Sequence, residues 1–209
     1  MALTKTAAGV DAWQEINQND VLLGAEIGIE GGYGIHLHIK CALSSTTAHT
    51  GTEIIVQVGT DTADAKDNWT TVDRFIGPVG TAVSLTLNDT ELAGEVVLAV
   101  TNPVTANMDN DGKFKFIEHA TPANSEIVFQ KSNSGDAGDT ITILDGLGHD
   151  QNSSSVIFDI DDSEIEAVGM YVVEIADTAD RVRVIYNNKY DPDGATVFIE
   201  CRITQTTGL

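Results

Sequence analysis

The sequence predicts an all-β protein: an antiparallel β-sandwich with a small inserted β subdomain and an extended N-terminal arm. Three observations carry that reading. Thr, Val and Ile dominate the regular segments, and Gly, Asn, Asp and Ser break them into short runs. Ile35-His36-Leu37-His38-Ile39-Lys40-Cys41 alternates strictly, with its apolar members on one face. Period two of this quality marks a strand buried on one side in an antiparallel sheet. Finally, the links between such runs are too short for crossover helices, so a meander or Greek key is expected.

The elements follow in order. Residues 1–34 contain no strong strand and read as an arm, with a two-turn helix expected at 11–18 after an Asp N-cap. The glycine-rich stretch Gly28 to Gly34 lacks the Lys and following helix of a phosphate loop and reads as a turn. The sandwich is expected from 35–102 and 156–209. Its strands are 35–41, 53–58, 69–75, 83–87 and 95–100, then 155–160, 170–175, 181–186 and 195–204. Between them, 103–155 is richer in Gly, Asn and Asp, with short strands at 113–117, 126–131 and 140–144. So small an insert cannot bury much surface alone and must lean on the sandwich or a partner. A single helical turn is expected at 163–168.

Composition narrows the function. Thirty-two acidic residues against 11 basic ones give a formal charge of −21 over 209 residues. Such a surface repels phosphate backbones and anionic bilayers, so neither nucleic acid nor a membrane is expected as partner. Apolar runs stop far short of a membrane span, and the first residues lack the continuous apolar stretch of a secretory signal. Two cysteines exclude a disulfide scaffold. Cys41 and Cys201 fall on the apolar faces of their strands, which leaves their bonding open.

Several groups of side chains are candidate sites. Asn107 to Glu118 has the spacing of a calcium loop, with Gly112 sixth and Glu118 twelfth; Asp109, Asp111 and Glu118 would be the ligands. Pro103 argues against an entering helix, and Asn-Asp-Gly feeding a strand is an ordinary β-turn. His36 and His38 share a strand face but lack a specified third ligand and read as a solvated polar face. Asp159, Asp161, Asp162, Glu164 and Glu166 read as an exposed acidic run, and Lys113/Lys115 and Arg181/Arg183 as basic pairs too small for a nucleic-acid footprint. No Gly-x-Ser-x-Gly or paired-carboxylate context marks an enzyme, and no cofactor is expected.

Thr121-Pro122-Ala123-Asn124-Ser125-Glu126, then Thr140 to Leu147 with His149, and Arg181-Val182-Arg183-Val184-Ile185-Tyr186-Asn187-Asn188 resemble a family of tailed-phage virion proteins. Upstream, Ile54 to Gly59 with Asn68-Trp69-Thr70-Thr71-Val72 is similar to that family's sandwich opening, and Thr204 to Gly208 to its last strand. The resemblance spans roughly residues 50–209. It implies a non-enzymatic capsid decoration, or cement, protein that binds the major capsid protein at the virion surface after synthesis in the host cytoplasm. It also implies a homo-oligomer, most simply a trimer. A neck, tail or fibre component is the alternative within the virion, and a carbohydrate- or calcium-binding module the alternative outside it. Trp13 and Ile16 are the expected anchors of the arm, by aromatic and aliphatic character; packing beneath the sandwich is the other reading of both.

Overall fold

The computed structural model describes residues 4–17, 19–29, 32–60, 69–101, 112–134, 139–160, 167–176, 178–188 and 196–207. Among them the regular structure is β throughout, apart from one 3-10 turn at Pro122–Asn124. A four-stranded sheet joins β1 (Thr4–Ile16), β4 (Gly32–Leu43), β13 (Val168–Ile175) and β15 (Val197–Thr207) in the order β1-β15-β4-β13. A five-stranded assembly joins β2 (Val21–Leu23), β14 (Arg181–Asn187), β5 (Glu53–Gly59) and β6 (Trp69–Ile76), with β3 (Ile27–Gly28) also paired to β14. The third sheet joins β7 (Ala82–Thr86), β12 (Val156–Ile160), β9 (Lys113–Glu118), β10 (Glu126–Asn133), β11 (Thr140–Ile143) and β8 (Val97–Ala99) in that order. Every described pairing is antiparallel.

The sandwich is the packing of the first two sheets. Register sets Leu37 opposite Ile203, Ile39 opposite Cys201 and Cys41 opposite Ile199, so one face of β4 and β15 is continuously apolar. That face buries Val56, Val182, Val184 and Tyr186 of the facing sheet in the same cluster. Each fully buried aliphatic side chain here contributes about 1.5–3 kcal/mol. Cys41 and Cys201 lie on the same face of one sheet, both buried and neither in a disulfide. Burial pushes the Cys41 thiol up to about 12. One flank is stapled by Tyr171, which stacks on Phe75 at 4.7 Å and donates a 2.6 Å hydrogen bond to the Ile76 carbonyl.

The third sheet closes on itself. Leu87 bridges Val100, Thr101 N–H donates to the Thr86 carbonyl at 2.8 Å, and Asn88 N–H to the Ala99 carbonyl at 2.9 Å. These bonds tie the chain just after β7 to the chain just after β8 and close the six strands into a barrel at that point. Its interior is a second, separate core of Leu85, Leu98, Ile117, Val128, Ile141 and Ile157, among others. The barrel therefore runs from 82 to 160 and takes three strands from outside the segment 103–155. The reason is burial: three short strands cannot close a barrel or cover both faces, so they recruit β7, β8 and β12.

The N-terminal segment also differs from expectation. Residues 4–16 form a strand paired along β15, with register shifts between Ala7 and Gly9 and between Asp11 and Gln14, where a helix was expected at 11–18. A two-turn helix is marginal in isolation, whereas the ladder satisfies backbone groups along the whole segment. The helical turn expected at 163–168 falls mostly outside the described residues, and Val168 already opens β13.

Candidate functional site

The barrel and the sandwich meet at one polar joint. On the sandwich side it is built from the outward face of the four-stranded sheet. Glu200 of β15 lies directly opposite Lys40 of β4, and Arg202 is two residues further along β15. Glu200 is buried, which a carboxylate tolerates only when paired. Lys40 Nζ stands 2.6 Å from its Oε2, and Arg202 donates to Oε1 through Nη2 at 2.7 Å and Nε at 3.1 Å. Lys40 also lies 5.8 Å from the centroid of the Trp13 ring, within cation–π range.

On the barrel side the organiser is Glu126, at the start of β10. Its Oε2 accepts from Gly148 N–H at 2.8 Å, and its Oε1 from the Gln151 side chain at 2.7 Å and His149 N–H at 3.4 Å. Gln151 donates as well to the Asn124 carbonyl at 3.0 Å and accepts from Ser155 Oγ at 3.1 Å. Buried Ser125 accepts from His119 N–H at 3.0 Å. The turn at 121–126 is thereby welded to the loop at 145–151. Between the two halves lies a cleft of about 160 Å³, lined by Trp13, Lys40, Glu126, His149, Glu200 and Arg202 among others.

An aromatic seam continues the joint. Trp13 packs on Phe116 of β9 at 5.1 Å, and Phe116 on Phe198 of β15 at 5.3 Å. Chemically the joint is a pair of charged networks whose carboxylates are occupied by fixed donors, several of them backbone N–H groups. Each network fixes the shape of its own half, while the aromatic seam makes the contact between the halves.

The expected site residues are distributed as follows. Trp13 and Ile16 are both buried: Trp13 in the aromatic seam and Ile16 opposite Val197 in the sandwich. Asp109 and Asp111 lie outside the described residues. Glu118 is half-buried at the end of β9, and burial, then the charge of Glu15, raises its carboxyl above the usual range. His36 and His38 are half-buried on the outward face of β4, with Thr204 Oγ1 3.4 Å from His38 Nε2. Among the described residues no three His, Cys, Asp or Glu side chains converge as a metal cluster.

Two readings are corrected. Asp159 is no part of an exposed acidic run, and Lys115 is no surface cation: both are fully buried and ion-paired with each other. They sit opposite each other on β12 and β9, on the same side as Ile157 and Ile117, inside the barrel. Sequence reasoning also missed Lys40, Glu126, Glu200 and Arg202. The signal available was the charged side of otherwise clean alternations at 35–41 and 197–203; the strand order that pairs them was not.

Fold and joint together define an all-antiparallel β protein of two units, a sandwich and a barrel, packed together through the Trp13–Phe116–Phe198 seam. No family model matches the chain, and no curated protein does. Among solved structures it aligns with VP17, a capsid protein of bacteriophage P23-77, over 96% of this chain and 99% of that one. The identity is 7% and the TM-score 0.17, values too low to establish a common fold.

Proposed function

We propose that the chain is a non-enzymatic structural protein of a phage virion, bound to the assembled capsid as a decoration protein. One observation supports this above the others. Two of the segments that resemble tailed-phage virion proteins, 121–126 and 140–149, meet in the joint through Glu126. Their polar atoms are engaged in holding backbone: Glu126 on Gly148 and His149, and the Asn124 carbonyl on Gln151. A sequence pattern used in this way serves architecture rather than turnover. A six-stranded sheet whose two ends are hydrogen-bonded to each other, packed on a sandwich, also suits a protein displayed at high copy number, where exposed edges invite aggregation.

On this reading the partner is the major capsid protein and the location is the capsid surface, with the chain made in the host cytoplasm and bound as an oligomer, most simply a trimer. Quantifying the chain in density-purified particles of the virus that encodes it tests the proposal. A fixed ratio to the major capsid protein is expected. Roughly six or twelve copies per particle would reassign it to a neck or tail ring, and absence from particles would overturn the virion role altogether.

A further inference from the structure

The two polar networks of the joint face each other across the cleft without touching. Among the described residues no hydrogen bond or ion pair links Lys40, Glu200 and Arg202 on the sandwich side to Glu126, His149 and Gln151 on the barrel side. The carboxylates on both sides are already engaged. Glu200 meets Lys40 through one oxygen and Arg202 through the other. Glu126 accepts from the Gly148 and His149 N–H groups and from Gln151.

The donors are only partly engaged. Arg202 holds Glu200 through Nε and Nη2, one edge of its guanidinium. Its Nη1–Nη2 edge meets no acceptor among the described residues, and the side chain is 56% exposed. Lys40 has three N–H donors and, among the described residues, Glu200 as its one carboxylate partner. Ser125 is 1% exposed; it accepts from His119 N–H, while its own O–H meets no acceptor among the described residues. A buried hydroxyl left in that state costs free energy. His149 reaches Glu126 through its backbone N–H, which leaves its exposed imidazole to the cleft. All four side chains line the same space, of about 160 Å³. One water needs about 10–15 Å³, so a group of several heavy atoms fits. The strand beside it is shaped for the purpose: β1 carries one extra residue against β15 between Asp11 and Gln14, and the bulge sets Trp13 beside Lys40. Bulges of this kind re-aim side chains and are frequent next to active sites.

We propose that the cleft binds a small oxyanion, a carboxylate or a phosphate group, between Arg202 and Lys40 on one side and Ser125 and His149 on the other. The hydrogen-bonding character of the cleft selects this chemistry, because its open groups are donors and its carboxylate oxygens are taken. The open edge of Arg202 offers two parallel N–H groups, which match two oxygens of either anion. At 0.1 M salt, charges more than about 10 Å away are screened, so these donors, and not the total of −21, set the local affinity. Bound there, the anion is a polar link across a joint whose described contact is otherwise the aromatic seam. Occupancy therefore stabilises the pair of units by mass action. The site does not depend on the virion reading, because it forms in the isolated chain.

The test is titration of the full chain with sodium phosphate and, separately, sodium acetate, each against sodium chloride of equal ionic strength. Amide and indole resonances are followed by ¹H–¹⁵N NMR, with thermal melts in parallel. Saturable shifts at Gly148, His149 and the Trp13 indole are expected with at least one of the two oxyanions, together with an unfolding midpoint that rises with its concentration. Saturation by phosphate alone assigns a phosphate site, by acetate alone a carboxylate site, and by both a site for either group. Arg202→Gln should weaken binding at least ten-fold. Because that change also releases Glu200, His149→Ala serves as the second variant; it keeps the backbone bond to Glu126, should melt like the native chain in chloride, and should weaken binding several-fold. Shifts no different from those in chloride with either anion overturn the proposal. So does an affinity that neither variant changes.

Discussion

The sandwich and the barrel solve the same problem with opposite interiors. The sandwich core is apolar on both of its sheets, and its perturbed ionisable groups, Cys41 and Tyr171, are neutral at pH 7. The barrel interior mixes Ile117, Val128 and Ile157 with the Lys115–Asp159 pair, and Gln130 and Lys113 are buried on the same sides of their strands. On β9 the outcome is inverted relative to the usual pattern: Lys115 points into the barrel and Phe116 points out of it. Phe116 is nevertheless buried, because its outside is the seam with Trp13 and Phe198. Whether an alternating strand puts its apolar side in or out depends on where a second layer lies, which a strand cannot encode alone.

That contrast can be broken most sharply at Asp159. Asp159→Ala removes the carboxylate paired with the buried Lys115 ammonium and should cost about 3–5 kcal/mol, read as a lower denaturation midpoint in urea. Lys115→Met combined with Asp159→Leu should recover most of the loss, since an apolar pair needs no compensation. If Asp159→Ala proves neutral, the pair is no part of what holds the barrel closed. Next in size is Phe116→Ala, expected to cost about 3 kcal/mol. Because its ring joins the two units, calorimetry should resolve two transitions where the native chain is expected to give one; a single transition in the variant would show that the seam is not what couples the units.

Alkaline pH should separate the units in the other direction. Burial holds the Cys41 thiol at about 12, and burial with the neighbouring Cys41 does the same for the Tyr171 hydroxyl. Both folded values exceed the unfolded ones, so the stability these groups carry is complete below the unfolded values and is lost as pH rises toward 12. From Cys41 alone the loss is about 1.4 kcal/mol per pH unit above pH 9. Thermal melts from pH 8 to 11 should show the sandwich weakening first, and Cys41→Ala should flatten that slope.

The smallest effect belongs to the barrel tip. Burial is the main cause that raises the Glu91 carboxyl, while its hydrogen bond from Ala99 N–H at 2.7 Å opposes the rise. Ionising Glu91 therefore opposes folding above the unfolded value near 4.5. Glu91→Gln keeps an acceptor for Ala99 and should stabilise the chain at pH 7 by under about 1 kcal/mol. The gain should vanish as pH falls below the carboxylate range, and a constant gain at pH 3 would contradict this cause.

Much of the sandwich was legible because its strands alternate cleanly and lie in a two-layer arrangement that uses one face of each. Ile35 to Cys41 and Val197 to Ile203 read correctly for that reason. The N-terminal strand was not legible: Asp11 to Gln18 has the local composition of a short helix, and only the ladder to β15 makes it extended. The barrel was half legible. Its strands at 113–117, 126–131 and 140–144 were visible, but closure by Leu87 and Val100 joins residues far apart in sequence, and no local pattern signals it. The joint was the least legible part, because Glu200, Lys40 and Glu126 look like solvated surface until the barrel is laid over them.

By itself, then, the sequence determined the secondary-structure class, the strongly acidic surface, the positions of most strands and the buried placement of both cysteines. These follow from short-range alternation and composition, which act within a few residues. Tertiary structure alone decided the strand order, the closure of the barrel, the burial of Lys115 with Asp159 and the meeting of Glu126 with the 145–151 loop. Each of those depends on pairing between distant segments, where the free energy lies in the contact between two surfaces and belongs to neither segment separately.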